Sequence, residues 1–216
     1  MSPEKRTPLD RRRVADTALR LLNEVGLDGL TLRAIARELD VKAPALYWHF
    51  KDKQALLDEM ATEMYRRMAA GLALDPADTW QQRLLKTNRA LRAALLGYRD
   101  GAKVFSGSRF TGTDHAGELE ANLRLLTDAG FTLAQAVHAG RTASAYTIGF
   151  VTEEQGVEPL PGERREGYDV GERARRMAGY PLAAQAGPLL FDGYDEQFEE
   201  GLALVVAGVG ARYGIS

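Results

Sequence analysis

The chain has 216 residues, 45% of them hydrophobic and 27% charged, enough for one domain or two with a sizeable core. It contains no cysteine, which excludes disulfides, thiolate metal sites and cysteine nucleophiles together. The net charge of −2 conceals an asymmetry: through Lys53 eleven Lys and Arg face eight Asp and Glu, while the remainder holds seventeen against twenty-two. The basic N-terminal quarter is what a chain shows when that end meets a polyanion. The longest apolar run, Leu202 to Ala207, is far below the roughly 20 residues that cross a bilayer. Met1-Ser2-Pro3-Glu4-Lys5-Arg6 leads into more charge rather than an apolar stretch, so no secretory signal is read and a cytoplasmic protein without a membrane partner is expected.

Asp10 caps a first helix carrying Val14, Ala18, Leu21, Leu22 and Val25 at helical spacing, and Gly26 ends it. Thr31 caps a short second helix over 32–39. A tight break at Asp40-Val41 follows, and Pro44 suits the first turn of a third helix ending near Phe50. Asp52 caps a longer helix on which Leu56, Met60, Met64 and Met68 recur every four residues. Helices are expected over 80–98, around Lys103, over 116–129, 133–154 and 194–213, with a short one near 172–177. Residues 156–171 hold six Gly or Pro and read as a loop. No segment alternates with period two for long enough to form a strand, so the fold class is all-α.

Two short helices joined by a tight turn, the second opening with proline, make a helix-turn-helix over 31–50, with Ala36 small enough for close crossing. Arg33, Lys42, Tyr47, His49 and Lys53 cluster in it and supply the charge and hydroxyls that phosphates attract. Lys5, Arg6, Arg11, Arg12 and Arg13 form a basic arm ahead of it.

The run from Thr31 to Leu57, with Leu46-Tyr47-Trp48-His49-Phe50 and Lys53 at its centre, closely resembles the DNA-binding domain of the tetracycline-repressor (TetR) family. The resemblance continues through 94–104 and 123–131 and weakens only over 156–192. It implies a DNA-binding domain over 1–53 and a ligand-binding and dimerisation domain over 54–216. It also implies operator contacts by Arg33, Lys42, Pro44, Tyr47, His49 and Lys53, with Trp48 half in the core. Ala43 and Ala45 stand where the tetracycline repressors carry hydrogen-bonding side chains, leaving methyl contacts and a different operator.

The resembling repressors take tetracycline as a magnesium chelate. Phe105, Ala145 and Ala69 stand at histidine positions of that site here, and Glu153 alone makes no magnesium site, so no metal or other cofactor is expected. What the resemblance leaves is a pocket of Thr87 and Leu91, of Phe105, Ser108, Arg109 and Phe110, of Asn122, and of His138, Arg141, Tyr146 and Glu153. Its mixture of apolar, aromatic and a few polar groups suits a small molecule, for which a flat or polycyclic natural product, acidic or neutral, is the expectation. The loop over 98–103 is expected to couple this pocket to the connecting helix near Asp58 and Glu59.

On the last helix Phe198, Leu202, Val205 and Val209 form a stripe, with Gly201, Ala203, Ala207, Gly208 and Gly210 letting another helix approach. In the resembling family this helix pairs with the one before the loop, here 133–154, in a four-helix interface across a two-fold axis, so the resemblance implies a homodimer. The function read from these features is a repressor that binds a palindromic operator and is released by an antibiotic or other natural product. A ligand-independent architectural DNA binder fits the net charge poorly. An enzyme fits worse: Asp114, His115 and Glu118 have no second histidine at metal-site spacing.

Overall fold

The computed structural model describes residues 9–216. Lys5 and Arg6 of the expected arm lie outside the described residues. Four helices make the N-terminal part and its connector: α1 (Arg11–Gly29), α2 (Leu32–Glu38), α3 (Ala43–Tyr47) and α4 (Lys53–Gly71). The carboxylate or hydroxyl of Asp10, Thr31 and Asp52 accepts an amide of the first turn of α1, α2 and α4, as the sequence predicts. Gly26 has φ of 68° and breaks α1, although a last turn runs on to Gly29. Asp40 takes the left-handed conformation at the turn between α2 and α3, with φ of 51°.

The body is built from α5 (Trp80–Leu96), α6 (Gly101–Phe105), α7 (Ala116–Asp128), α8 (Leu133–Val157) and α12 (Tyr194–Tyr213). Full capping boxes, Thr79 with Gln82 and Thr132 with Gln135, start α5 and α8. Three short helices, α9 (Val170–Arg176), α10 (Pro181–Gln185) and α11 (Gly187–Phe191), fill the stretch before α12. Only the first of them is marked in the sequence.

One hydrophobic core runs through both parts. Leu19, Ile35, Leu46 and Phe50 of the N-terminal helices, Leu56, Met60 and Met64 of α4, and Leu91, Leu95, Val104 and Val151 of the body are buried in one cluster. The expected 53/54 boundary falls on the first residue of α4, and the core continues across it.

The stripe on α12 differs from its expected role. Phe198, Leu202 and Val209, with Val206 in place of Val205, are buried inside the protomer against α8 and α5. Gly201 is required there, because a Cβ would come within 2.2 Å of the Tyr146 hydroxyl. Ala203, Leu204, Ala207 and Gly208 make the exposed face instead.

The turn between α5 and α6 docks the body onto α1. Asp100, itself left-handed with φ of 56°, accepts the Leu27 amide at 3.0 Å and Lys103 Nζ at 2.8 Å. Arg99 donates to the Asn23 carbonyl at 3.0 Å, and its amide donates to the Asn23 side chain at 2.8 Å. The loop expected to meet Asp58 and Glu59 therefore meets the end of α1 instead. Burial alone would raise the Asp100 carboxyl, but the bonds from Lys103 and the Leu27 amide outweigh it and hold the group below the usual carboxylate range.

A depressed folded pKa means that this contact stabilises fully above the unfolded value of 3.8 and is lost as pH falls through the lower folded value. Asp100→Asn is expected to reduce stability by about 1 kcal/mol at pH 7. The gap to wild type should close on acidification; denaturant unfolding at pH 7 and pH 3 reads it, and an equal gap at both refutes the role of the charge. Gly101 is the second sensitive point, since a Cβ would sit 2.1 Å from the Leu95 carbonyl oxygen. Gly101→Ala should lower Tm by about 5 °C or more in a thermal melt.

Candidate DNA-binding face and ligand cavity

The helix-turn-helix presents one solvent face. Arg33, Lys42, Pro44, Tyr47 and Lys53 are exposed, while Ala43, Ala45 and His49 are half-buried. Leu46 and Phe50, on the opposite side of the same turn, are fully buried and fix the helix from behind. Trp48 is 90% exposed rather than half in the core, because α3 ends at Tyr47 and the chain turns the ring outward. It joins Tyr47 as a second large aromatic on this face, a residue that helical periodicity could not assign. Lys53 Nζ also donates to the Leu27 carbonyl at 3.0 Å, leaving two of its N–H groups for a phosphate.

Two arginines of the expected basic arm serve the interior. Arg11 Nε donates to Glu59 at 2.7 Å, Arg11 Nη1 to the His49 carbonyl at 2.7 Å, and the guanidinium lies over the Phe50 ring. Arg12 pairs with Glu63 at 3.2 Å. Both carboxylates are buried on α4 and also meet Arg66, with Arg67 adding a third pairing to Glu63.

The body holds a cavity of about 710 Å³ between α4, α5, α7 and α8, closed on one side by α6 and the loop after it. Six of the eleven expected pocket residues line it: Thr87, Phe105, Ser108, Phe110, Asn122 and Arg141. Phe110 is its aromatic centre, with ring centroids 4.8 Å from Tyr65, 5.6 Å from Phe105 and 5.1 Å from His115. Tyr65 donates to Glu118 at 3.0 Å, and burial followed by that carboxylate pushes the phenol well above its ordinary value, so it stays a neutral donor.

The other five lie elsewhere. Leu91 is core. Arg109 is exposed, with its amide donating to Asp58 at 3.0 Å. His138 faces the groove between α8 and α12, beside Leu204, Gly208 and Arg212. Tyr146 stacks on Phe198 and donates to its carbonyl. Glu153 is exposed, while its neighbour Glu154 points inward and is held by Arg92 at 2.7 Å. All three α8 residues fall on faces turned away from the cavity, which periodicity along a 25-residue helix cannot orient without knowing its neighbours.

Lining residues that sequence reasoning passed over are Tyr65, Arg83, His115 and Glu118. Arg83 had a usable signal, lying one turn before Thr87 on the same face.

The donor set does not fit a magnesium chelate. Phe105 and Ala145 line the cavity without metal-binding atoms, and Glu153 is outside it. Asp114 is taken by Arg66 and Glu118 by Tyr65, and no group of three acidic or imidazole ligands occurs among the described residues.

The cavity wall connects to the DNA-binding face through short contacts. Next to Phe110, the Thr111 amide donates to Thr62 Oγ1 at 2.8 Å and the Thr111 hydroxyl to Glu59 at 2.9 Å. Glu59 holds Arg11, and Arg11 holds the His49 carbonyl at the end of the recognition turn. Residues 109–111, rather than 98–103, thus make the contact with Asp58 and Glu59.

Comparison with known proteins matches both parts. A family model described as bacterial regulatory proteins of the tetR family covers residues 14–60, and one described as the tetracyclin repressor-like C-terminal domain covers 72–213. The chain is 41% identical over 214 residues to the class A tetracycline repressor protein from transposon 1721 of Escherichia coli, spanning 95% of this chain and 93% of that one. A solved protein of Streptomyces coelicolor A3(2), described as a possible TetR family transcriptional regulator, superposes with a TM-score of 0.79 at 37% identity over 94% of this chain and 99% of that one. A single-site variant of TetR from Acinetobacter baumannii AYE, solved in complex with minocycline, gives 0.73 at 34% identity over 97% and 100%. The chain therefore belongs to the TetR family of bacterial transcriptional regulators, with a helix-turn-helix module followed by a tetracycline-repressor-like C-terminal domain.

Proposed function

We propose that this protein is a repressor that binds a palindromic operator as a homodimer and leaves it when a small molecule enters the cavity. Its targets would be resistance, efflux or biosynthesis genes for a natural product. The observation that carries this reading is the unbroken set of contacts from Phe110 in the cavity wall, through Thr111, Glu59 and Arg11, to the His49 carbonyl. A ligand changes DNA affinity only by favouring one arrangement of such an element. In this reading the helix-turn-helix and its arm act on DNA, the part from 54 onward binds the effector and the second copy, and no catalysis is involved.

The dimer reading is supported by apolar surface left on two neighbouring helices. Leu133 of α8 and Leu204 of α12 are exposed, with Ala203, Ala207 and Gly208 small enough for a second helix pair to approach closely.

On DNA, Lys42 and Tyr47 are assigned to phosphates and Arg33 to base edges. Operator fragments selected from genomic DNA would be titrated at several salt concentrations. Lys42→Ala should weaken binding to selected and random DNA alike and reduce the salt slope by about 1. Arg33→Ala should in addition relax the preference for the selected sequence over random DNA. Equal losses on both DNAs for both variants would remove Arg33 from sequence readout.

Magnesium–tetracycline should leave the operator complex intact, because Phe105 and Ala145 offer the chelate no ligand. A mobility shift with tetracycline, with and without EDTA, checks this; release that EDTA abolishes would refute it.

A further inference from the structure

We propose that the cavity is built for an organic anion, and that Arg83 is its anchor; this rests on the ligand-responsive reading above. Arg83 is 8% exposed and lines the cavity from α5. A guanidinium carries five N–H donors and is charged at every accessible pH. Only two are engaged, both at long range: 3.4 Å to Asn122 Oδ1 and 3.3 Å to the Asp75 carbonyl. Its Nε has no partner. Among the described residues no carboxylate forms an ion pair with Arg83, because Asp78, the acid whose field it shares, is held by Lys86.

Burying a cation without a counter-charge is unfavourable by several kcal/mol, so a second charge is expected to complete the site. The neighbouring groups select its sign. Thr87, one helical turn further on, has a buried hydroxyl that is also without a partner. Asn122 gives its oxygen to Arg83, which leaves its amide N–H groups to donate. Arg141 adds a second cation at the lining. The one carboxylate in the lining, Glu118, already accepts the Tyr65 hydroxyl. Arg83 and the Asn122 amide can only donate and the Thr87 hydroxyl is able to, and they are set against an aromatic wall of Phe105, Phe110 and Tyr65. A flat aromatic body bearing a carboxylate or an acidic enol meets both demands, the anion on Arg83 and the rings on Phe110.

The test uses two probes of one shape, anthracene-2-carboxylate and the neutral anthracene-2-carboxamide, titrated against the full-length protein by fluorescence. The carboxylate should bind about tenfold or more tightly than the carboxamide. Arg83→Gln should remove that preference while carboxamide binding stays within about threefold, and Arg83→Lys should restore part of it. Retained carboxamide binding shows that the variants are folded. Gly140→Trp should abolish binding of both probes, because a Cβ at Gly140 meets open space at the cavity lining.

Equal affinity of the two probes for wild type, or a preference that survives in Arg83→Gln, overturns the anion assignment. Binding that Gly140→Trp leaves intact, or no binding of either probe, overturns it as well by removing the site. The regulator reading stands or falls separately, on selection of a specific operator by the unliganded protein.

Discussion

Two buried carboxylates on α4 hold this molecule together. Glu59 and Glu63 lie one turn apart on the same face, 4% and 2% exposed, where like charges would repel and desolvation would cost several kcal/mol each. They persist because four guanidinium groups surround them: Arg11 and Arg12 from α1, Arg66 and Arg67 from α4 itself. Withdrawing α1 would remove two of the four guanidinium groups and leave the carboxylates to Arg66 and Arg67 alone, so the pairing binds α1 to α4. Arg11 extends the constraint by holding the His49 carbonyl and covering Phe50, which ties the recognition turn to the same point. Two arginines that look like DNA contacts in the sequence are the joint on which the DNA-binding face is mounted.

The cavity is the counterpart, a place where pairing is left incomplete. Several other buried polar groups of the body are matched. Asn88 accepts the Thr147 hydroxyl and donates to the Leu84 carbonyl, and Arg92 lies between Glu154 and Asp195 over the rings of Phe150 and Phe198. Five buried side-chain atoms without a hydrogen bond occur among the described residues, and two of them, Arg83 Nε and Thr87 Oγ1, sit at the cavity. Only at the cavity do two such atoms lie one helical turn apart on one lining, which is what the proposed ligand site uses.

Capping chemistry was legible in the sequence because it is local. Asp10, Thr31 and Asp52 announce helix starts because their side-chain oxygens accept amides three residues on, and Gly26, which has no side chain, and Asp40, whose short polar one is tolerated there, take positive φ. The order of helices and the DNA-binding motif followed from these signals and from the resemblance they support. What stayed hidden is which partner each face meets. Periodicity placed Phe198, Leu202 and Val209 on one stripe of α12, yet only the packed structure shows that α5 and α8 already cover it. The same limit misdirected His138, Tyr146 and Glu153 on α8, and left Arg83 unremarked because an arginine on an amphipathic helix reads as solvent-facing until its burial is known.

These contacts also decide which part of the cavity wall can move. The α5–α6 turn is locked to α8 by Gln155, which accepts the Ala102 amide and donates to the Leu95 and Tyr98 carbonyls. It is locked to α1 by Asp100 and Arg99, and the crowding at Gly101 leaves it no room to shift. The segment after α6 has a different character. It touches α4 through the Arg109 amide on Asp58 and through Thr111 on Thr62 and Glu59, and it meets the cavity through the rings of Phe105 and Phe110. In the proposed reading a ligand that displaces Phe110 would act on residues 109–111, and through them on the carboxylate that holds Arg11 of α1. In the proposed reading the α5–α6 turn, bonded to the end of α1 at Asn23 and Leu27, is the fixed point against which a displacement at Glu59 would turn α1 and the His49 segment it holds.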